Sequence, residues 1–211
     1  MKKLNIIAFL LALVSPLIIL SCSEENDEVN EFANWQNRNN DYFLDIYQKA
    51  SDNTDGSWKI IRNYSLEDSI NVEYYDHIAV QVLEEGTGSG CPMYTDSVMV
   101  NYRGRLMPSE SYPEGYVFDE NYKGEYNPMT ARPAKFVVGD LVDGFTTALQ
   151  YMHIGDRWRV YIPYQLGYKT ADNGSIPAYS TLVFDIALMS YYRAGTPTDP
   201  YKSKKHAWVK E

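Results

Sequence analysis

The chain has 211 residues and ordinary glycine, proline and charged content, which sets an expectation of one globular domain plus extensions. Its net charge is −9, from 19 basic and 28 acidic residues; with no clustered Lys and Arg in its core segment, it argues against nucleic acid as a partner. Two cysteines, Cys22 and Cys91, and three widely spaced histidines, His77, His153 and His206, form no metal-ligand spacing.

Lys2 and Lys3 precede an apolar stretch, residues 4–20, broken by Asn5, Ser15 and Pro16. That run is short and interrupted for a membrane span. Ile19-Leu20-Ser21-Cys22 resembles a bacterial lipobox, which implies a signal peptide over 1–21 and a lipid on Cys22. Cys91 is then left without an intrachain partner. The following Ser23-Glu-Glu-Asn-Asp-Glu28 resembles the acidic export tag of surface lipoproteins in Bacteroidetes-type bacteria. The expectation is an acidic tether over 22–29 and an outer membrane lipoprotein of the cell envelope, on its periplasmic face or the cell surface.

From Asn30 a helical stripe runs through Phe32, Trp35, Tyr42, Phe43, Ile46 and Tyr47, with Asn30 as its cap and a turn-rich end at residues 51–56. This extension, 30–56, is expected to pack on its own domain or to dimerise. The main domain is expected over 57–192. Strands are expected at 58–64, 78–83, 97–106, 135–138, 157–162 and 181–192, and one internal helix at 144–152. That helix carries Phe145, Ala148, Leu149 and Met152 at i, i+3, i+4 and i+7, with Asp143 as its cap. The 19 tyrosines suit strand-rich structure with amphipathic rings at the surface, or a surface that contacts sugars or peptides. Residues 193–211 form a tail, expected to be extended. The fold class is α+β: an antiparallel sheet wrapped over one short helix, with an N-terminal helical extension.

Within residues 98–189, apolar and aromatic residues recur beside single polar groups in an order suited to one lined pocket. The segments are Val98-Met-Val-Asn-Tyr-Arg-Gly-Arg-Leu106, Phe118-Asp119, Phe136-Val-Val-Gly-Asp-Leu-Val-Asp-Gly-Phe145, Ile162-Pro-Tyr-Gln-Leu-Gly-Tyr168, Ile176-Pro177 and Thr181-Leu-Val-Phe-Asp-Ile-Ala-Leu188. This ordered series resembles the FKBP-type peptidyl-prolyl cis-trans isomerases, over residues 77–191. The resemblance implies an FKBP-like fold, proline-containing polypeptides as partners, macrolides as possible ligands, and a reaction without metal or cofactor.

Carried over by position, the resemblance implies a catalytic set of Tyr102, Phe118, Asp119, Tyr168 and Ile176, and substrate contacts from Leu141, Val142, Phe145, Pro177 and Phe184. The aromatic and aliphatic members would form an apolar cup. The Tyr168 hydroxyl and the Ile176 N–H would hold substrate carbonyls. Asp119, expected to be buried, would need Tyr102, Arg157 or Arg159 as a partner. Three positions depart from the pattern. Phe145 stands for a tryptophan, Ala134 for an aromatic, and Lys169 for a glycine whose backbone could need positive φ. Two long tyrosine-bearing stretches, 107–116 and 122–132, flank Phe118-Asp119 and are expected to gate the pocket, to extend it, or to be plain surface. The competing reading is a binding module of the same fold, with feeble catalysis, that recognises a protein or glycan.

Overall fold

The computed structural model describes residues 30–67 and 70–193, and the backbone of 208–209. The expected signal peptide, Cys22, the acidic tether and most of the tail lie outside the described residues.

Among the described residues, two α-helices and eight strands follow in order: α1 (Trp35–Ser51), β1 (Trp58–Arg62), β2 (His77–Glu84), β3 (Ser97–Leu106), β4 (Val117–Glu120), β5 (Ala134–Val137), α2 (Asp143–Leu149), β6 (Arg157–Ile162), β7 (Leu182–Tyr192) and β8 (Trp208–Val209). The strands form one antiparallel sheet in the order β1-β2-β6-β7-β3-β4. Strands β4 and β5 both pair with β3: β5 opposite Ser97–Val100, β4 opposite Arg103–Arg105. Strand β8 pairs with Tyr191 and Tyr192 at the end of β7.

Period-two alternation sorts the side chains of β7 onto two faces. Phe184, Ile186 and Leu188 face α2 and its Phe145, Ala148 and Leu149. Val98, Val100, Val160 and Trp158 join that core, and most of its members are below a tenth exposed. Each fully buried side chain of this kind contributes about 1.5–3 kcal/mol. Gly144 lets α2 lie close to β6, because a Cβ there would sit 2.3 Å from Ile162 Cγ2.

The opposite face of the sheet carries α1. Phe43 and Ala50 pack there with Trp58, Ala79, Tyr161 and Val183. Trp35, Asn39 and Phe43, four residues apart, form the buried stripe of α1. Buried Asn39 fastens it further: its Oδ1 accepts the Thr181 N–H at 2.7 Å. The extension therefore packs on its own domain. It begins later than expected, because Asn34 adopts a left-handed conformation (φ 52°) that asparagine tolerates, and residues 31–34 form a turn.

Beside α1 on this face lies a charged row. Asp185, 4% exposed, accepts from Arg159 Nε at 2.6 Å and Nη2 at 3.0 Å and from Arg105 Nη2 at 3.0 Å. Residues 122–132 lean on it. The Arg103 guanidinium sits 4.6 Å over the Tyr122 ring and that of Arg157 4.8 Å over Tyr126. This stretch covers the far face of the sheet and gates nothing on the α2 side. Among the described residues no helix is long and apolar enough to cross a membrane.

Candidate functional site

On the α2 side, where β3, β4 and β5 meet the start of α2, the fold encloses a hollow of about 450 Å³. Alternation along β3 turns Tyr102 inward, and β4 adds Phe118 and Asp119. Strand β5 adds Phe136; the approach to α2 adds Leu141, Val142 and Phe145; β7 adds Phe184. Tyr168 and the turn 173–176 close the remaining side.

The rings form one connected series of edge-on contacts. Phe184 lies 5.4 Å from Phe118 and 5.0 Å from Phe145, at interplanar angles of 84° and 77°. Tyr102 meets Phe136 at 5.6 Å and Phe145 at 6.5 Å. Such pairs contribute about 0.5–1.5 kcal/mol each beyond their buried area. Tyr102, Phe145 and Phe184 are buried in the main core, so the cup is built before any ligand arrives. At its back, Gly104 leaves no spare room: a Cβ there would lie 2.5 Å from Phe118 Cε2 and 2.6 Å from Phe184 Cε1.

The polar groups are few. The Tyr102 hydroxyl donates to Asp119 Oδ2 at 2.7 Å. Burial, followed by that hydrogen bond and the carboxylate charge, raises the Tyr102 pKa well above the ordinary tyrosine value. Burial and the Asp119 charge raise that of Tyr168 too, so its hydroxyl keeps a proton to donate at neutral pH. Asn121 holds the frame: its Oδ1 accepts the Tyr102 N–H at 2.9 Å, and its Nδ2 donates to the carbonyls of Val100 and Arg132, each at 3.0 Å.

Of the residues named from sequence, the structure brings Tyr102, Phe118, Asp119, Leu141, Val142, Phe145, Tyr168, Ile176 and Phe184 together around the hollow. Pro177 does not line it; it lines a neighbouring groove. The Ile176 N–H, expected to await a substrate carbonyl, donates to Asn173 O at 3.0 Å, while Ile176 O accepts from Asn173 N at 2.9 Å. That pair closes a tight turn through Gly174 (φ 61°). The Val142 N–H, just ahead of α2, has no acceptor among the described residues.

Asp119 is exposed at the rim, not buried, and Tyr102 is its hydrogen-bond partner. Neither expected arginine reaches it: Arg157 pairs with Glu84 at 2.9 Å and Arg159 with Asp185. The aromatic missing at Ala134 is made up two residues along the same face of β5 by Phe136, whose inward position follows from strand alternation. Asp140, Asn173, Gly174 and Ser175 also line the hollow, and sequence reading did not name them as site residues. Lys169 takes positive φ (60°) where glycine was the expected type, and its Nζ lies 3.7 Å from Asp143 Oδ2. Asp143 does not cap α2, whose N-cap is Val142, without a side-chain bond. Among the described residues, no group of three or more His, Cys, Asp or Glu is placed to hold a metal.

Residues 88–189 match the profile of the family described as FKBP-type peptidyl-prolyl cis-trans isomerase. The chain is 39% identical over 119 residues to the macrophage infectivity potentiator of Trypanosoma cruzi, covering 56% of this chain and 55% of the relative. To the outer membrane protein MIP of Legionella longbeachae it is 35% identical over 115 residues, covering 54% and 44%. It thus spans about half the length of these relatives. The crystal structure of FkpA from Escherichia coli superposes with a TM-score of 0.55 at 25% identity, covering 76% of this chain and 62% of that one. With their sheet, short helix and ring-lined hollow, residues 88–189 form a domain of the FKBP-type peptidyl-prolyl cis-trans isomerase family.

Proposed function

We propose that this chain catalyses cis-trans isomerisation of X-Pro bonds in exported proteins, and that the hollow beside α2 is where it does so. One observation carries the reading: the connected rings of Phe118, Phe184, Phe145, Tyr102 and Phe136 around a preformed cavity with the Tyr102–Asp119 hydrogen bond at its rim.

Rotation about an amide faces a barrier of about 18–20 kcal/mol, which comes from resonance between nitrogen and carbonyl. Water stabilises the planar, charge-separated form through the carbonyl oxygen. An apolar cup strips that water away and grips the prolyl ring, which favours the twisted amide over both planar isomers. Phe118, Phe145 and Phe184 supply the grip. The Tyr168 hydroxyl and the unengaged Val142 N–H would hold carbonyls of the flanking backbone. Tyr102 would donate its hydroxyl hydrogen bond to Asp119, which fixes its ring and holds the Asp119 carboxyl at the rim. Macrolides of suitable ring shape would compete for the same cup.

The envelope setting belongs to this proposal too. The lipobox-like Ile19-Leu20-Ser21-Cys22 supports a lipid anchor at Cys22, and a relative named as an outer membrane protein supports the same compartment. Prolyl isomerisation unaided takes tens to hundreds of seconds, long enough to limit folding of exported chains there.

The test is cis-to-trans conversion of a short X-Pro peptide by the full chain in mild detergent, beside Phe118→Ala and Asp119→Ala. A rate gain that Phe118→Ala lowers at least tenfold is the expected outcome. Equal rates with and without wild-type protein would leave only a binding module.

A further inference from the structure

A second groove, about 540 Å³, adjoins the hollow and is used by nothing described so far. Three chain segments build it. Glu31, Phe32 and Trp35 come from the N-terminal extension; Met107, Tyr112 and Tyr116 come from the long stretch after β3; Gly174, Ser175 and Pro177 come from the turn that also walls the hollow. Gly174 and Ser175 line both cavities, so the two are separated by one turn of backbone.

Its surface is aromatic and its floor is firm. Phe32 meets Trp35 edge-on at 5.2 Å, and Tyr112 meets Tyr116 edge-on at 5.1 Å. Phe32 is 52% exposed and Tyr112 44%, apolar area held in water beside the site. Beneath them Trp35, Leu106 and Met107 are buried, and Trp35 Nε1 donates to Ser180 Oγ at 2.9 Å. The Ser111 N–H donates to Glu31 Oε1 at 2.8 Å, which ties the loop to the extension. The lining charge is one-sided: Glu31 and Asp172 line the groove, while Arg38, whose Nη1 donates to Glu31 O at 2.8 Å and whose guanidinium lies 5.5 Å over the Trp35 ring, adjoins Glu31 without lining it. Hydrogen bonds from Ser109 and Ser111 hold the Glu31 carboxyl below the usual carboxylate range, so it is ionised at neutral pH.

We infer that this groove is a subsite for the same polypeptide that places its prolyl bond in the hollow, taking an apolar or aromatic side chain with a lysine or arginine next to it. The inference rests on the proline reading of the hollow. Continuity through the shared turn selects this occupant, and the carboxylates select its basic neighbour. An extended chain advances about 3.3 Å per residue, so a side chain about two to four residues from the proline reaches about 7–13 Å, enough to pass a wall one turn of backbone thick. The stretch after β3 and the N-terminal extension would then set which X-Pro bonds are served, while the hollow performs the rotation.

The experiment compares kcat/KM of the full chain in mild detergent for a short X-Pro peptide and for longer peptides. These carry Phe with Lys, or Gly with Gly, at each position two to four residues from proline on either side. The Phe-Lys peptide in the right register should be favoured about tenfold over its Gly-Gly counterpart. Phe32→Ala and Tyr112→Ala should remove that preference and leave the short-peptide rate unchanged. Glu31→Gln, which keeps an acceptor for the Ser111 N–H, should remove the lysine preference alone. A short peptide that is turned over with no preference among the long ones overturns the subsite while the isomerase reading stands. No turnover of any peptide defeats the isomerase reading itself. A concentration-dependent dimer abolished by Phe32→Ala, with flat peptide kinetics, would instead assign the groove to a second copy of the chain and overturn the inference.

Discussion

A single methyl group at Gly104 should damage the hollow far more than the fold. The added Cβ would stand 2.5 and 2.6 Å from Phe118 Cε2 and Cζ and 2.6 Å from Phe184 Cε1. Carbon atoms settle at about 3.5–4.0 Å, so each ring must withdraw by about 1 Å. Both rings belong to the edge-on series that lines the cup, and Phe184 is fixed in the core at 6% exposure. Overpacking of this kind costs about 1–3 kcal/mol, and replacing a strand glycine by alanine returns about 0.5–1 kcal/mol. The net loss is about 1–2 kcal/mol, a fall in Tm of about 2–8 °C for a chain of this size. Displacement of two cup walls by about 1 Å is large on the scale of catalysis, where such shifts cost up to about a hundredfold. Gly104→Ala should therefore keep its circular dichroism spectrum and a cooperative melt while kcat/KM on an X-Pro peptide falls by ten- to about a hundredfold. Wild-type turnover in a folded Gly104→Ala protein would refute the assignment of these rings to the reaction.

Two further outcomes concern stability. Asp185→Ala should cost about 3 kcal/mol in chemical denaturation, because it leaves Arg105 and Arg159 without their shared carboxylate on a covered sheet face; a loss below about 1 kcal/mol would show that solvent screens the pair. Alkaline pH should also unfold the chain. Burial raises Tyr42 and Tyr102 well above the ordinary tyrosine value, so from about pH 10 the unfolded state ionises while the folded state stays protonated, and stability falls by about 1.4 kcal/mol per pH unit for each. Below about pH 9 these groups contribute no pH slope; urea midpoints from pH 8 to 11.5 should show this, with a shallower alkaline limb in Tyr42→Phe.

Much of the scaffold was legible because its strands are long and alternate cleanly. Ser97–Leu106 and Arg157–Ile162 are the expected strands residue for residue, since each presents its apolar set to one core. Strand β4 escaped notice: its four residues carry little period of their own and are a strand only because β3 offers Arg103–Arg105 as a partner. Start and cap signals misled at both helices. Asn30 and Asp143 are good cap types, yet Asn34 bends the chain before α1 and Val142 precedes α2. The ring residues of the cup were readable from their order. Asp119's exposed setting was not, because it depends on atoms brought from elsewhere in the chain, and neither was the engagement of the Ile176 N–H, because the tight turn from Asn173 through Gly174 carries no apolar period to mark it.

The tyrosine-bearing stretches 107–116 and 122–132 show the limit most clearly. Composition hardly separates them, yet one walls the groove beside the hollow and the other lies across the far face of the sheet against Arg103 and Arg157. Local sequence determined the long strands, the short central helix and the list of rings, since these follow from periodicity and residue type within a few neighbours. The fold alone decided which face each loop covers and which arginine meets which carboxylate, since each of those is a contact between residues far apart in the chain and close in space.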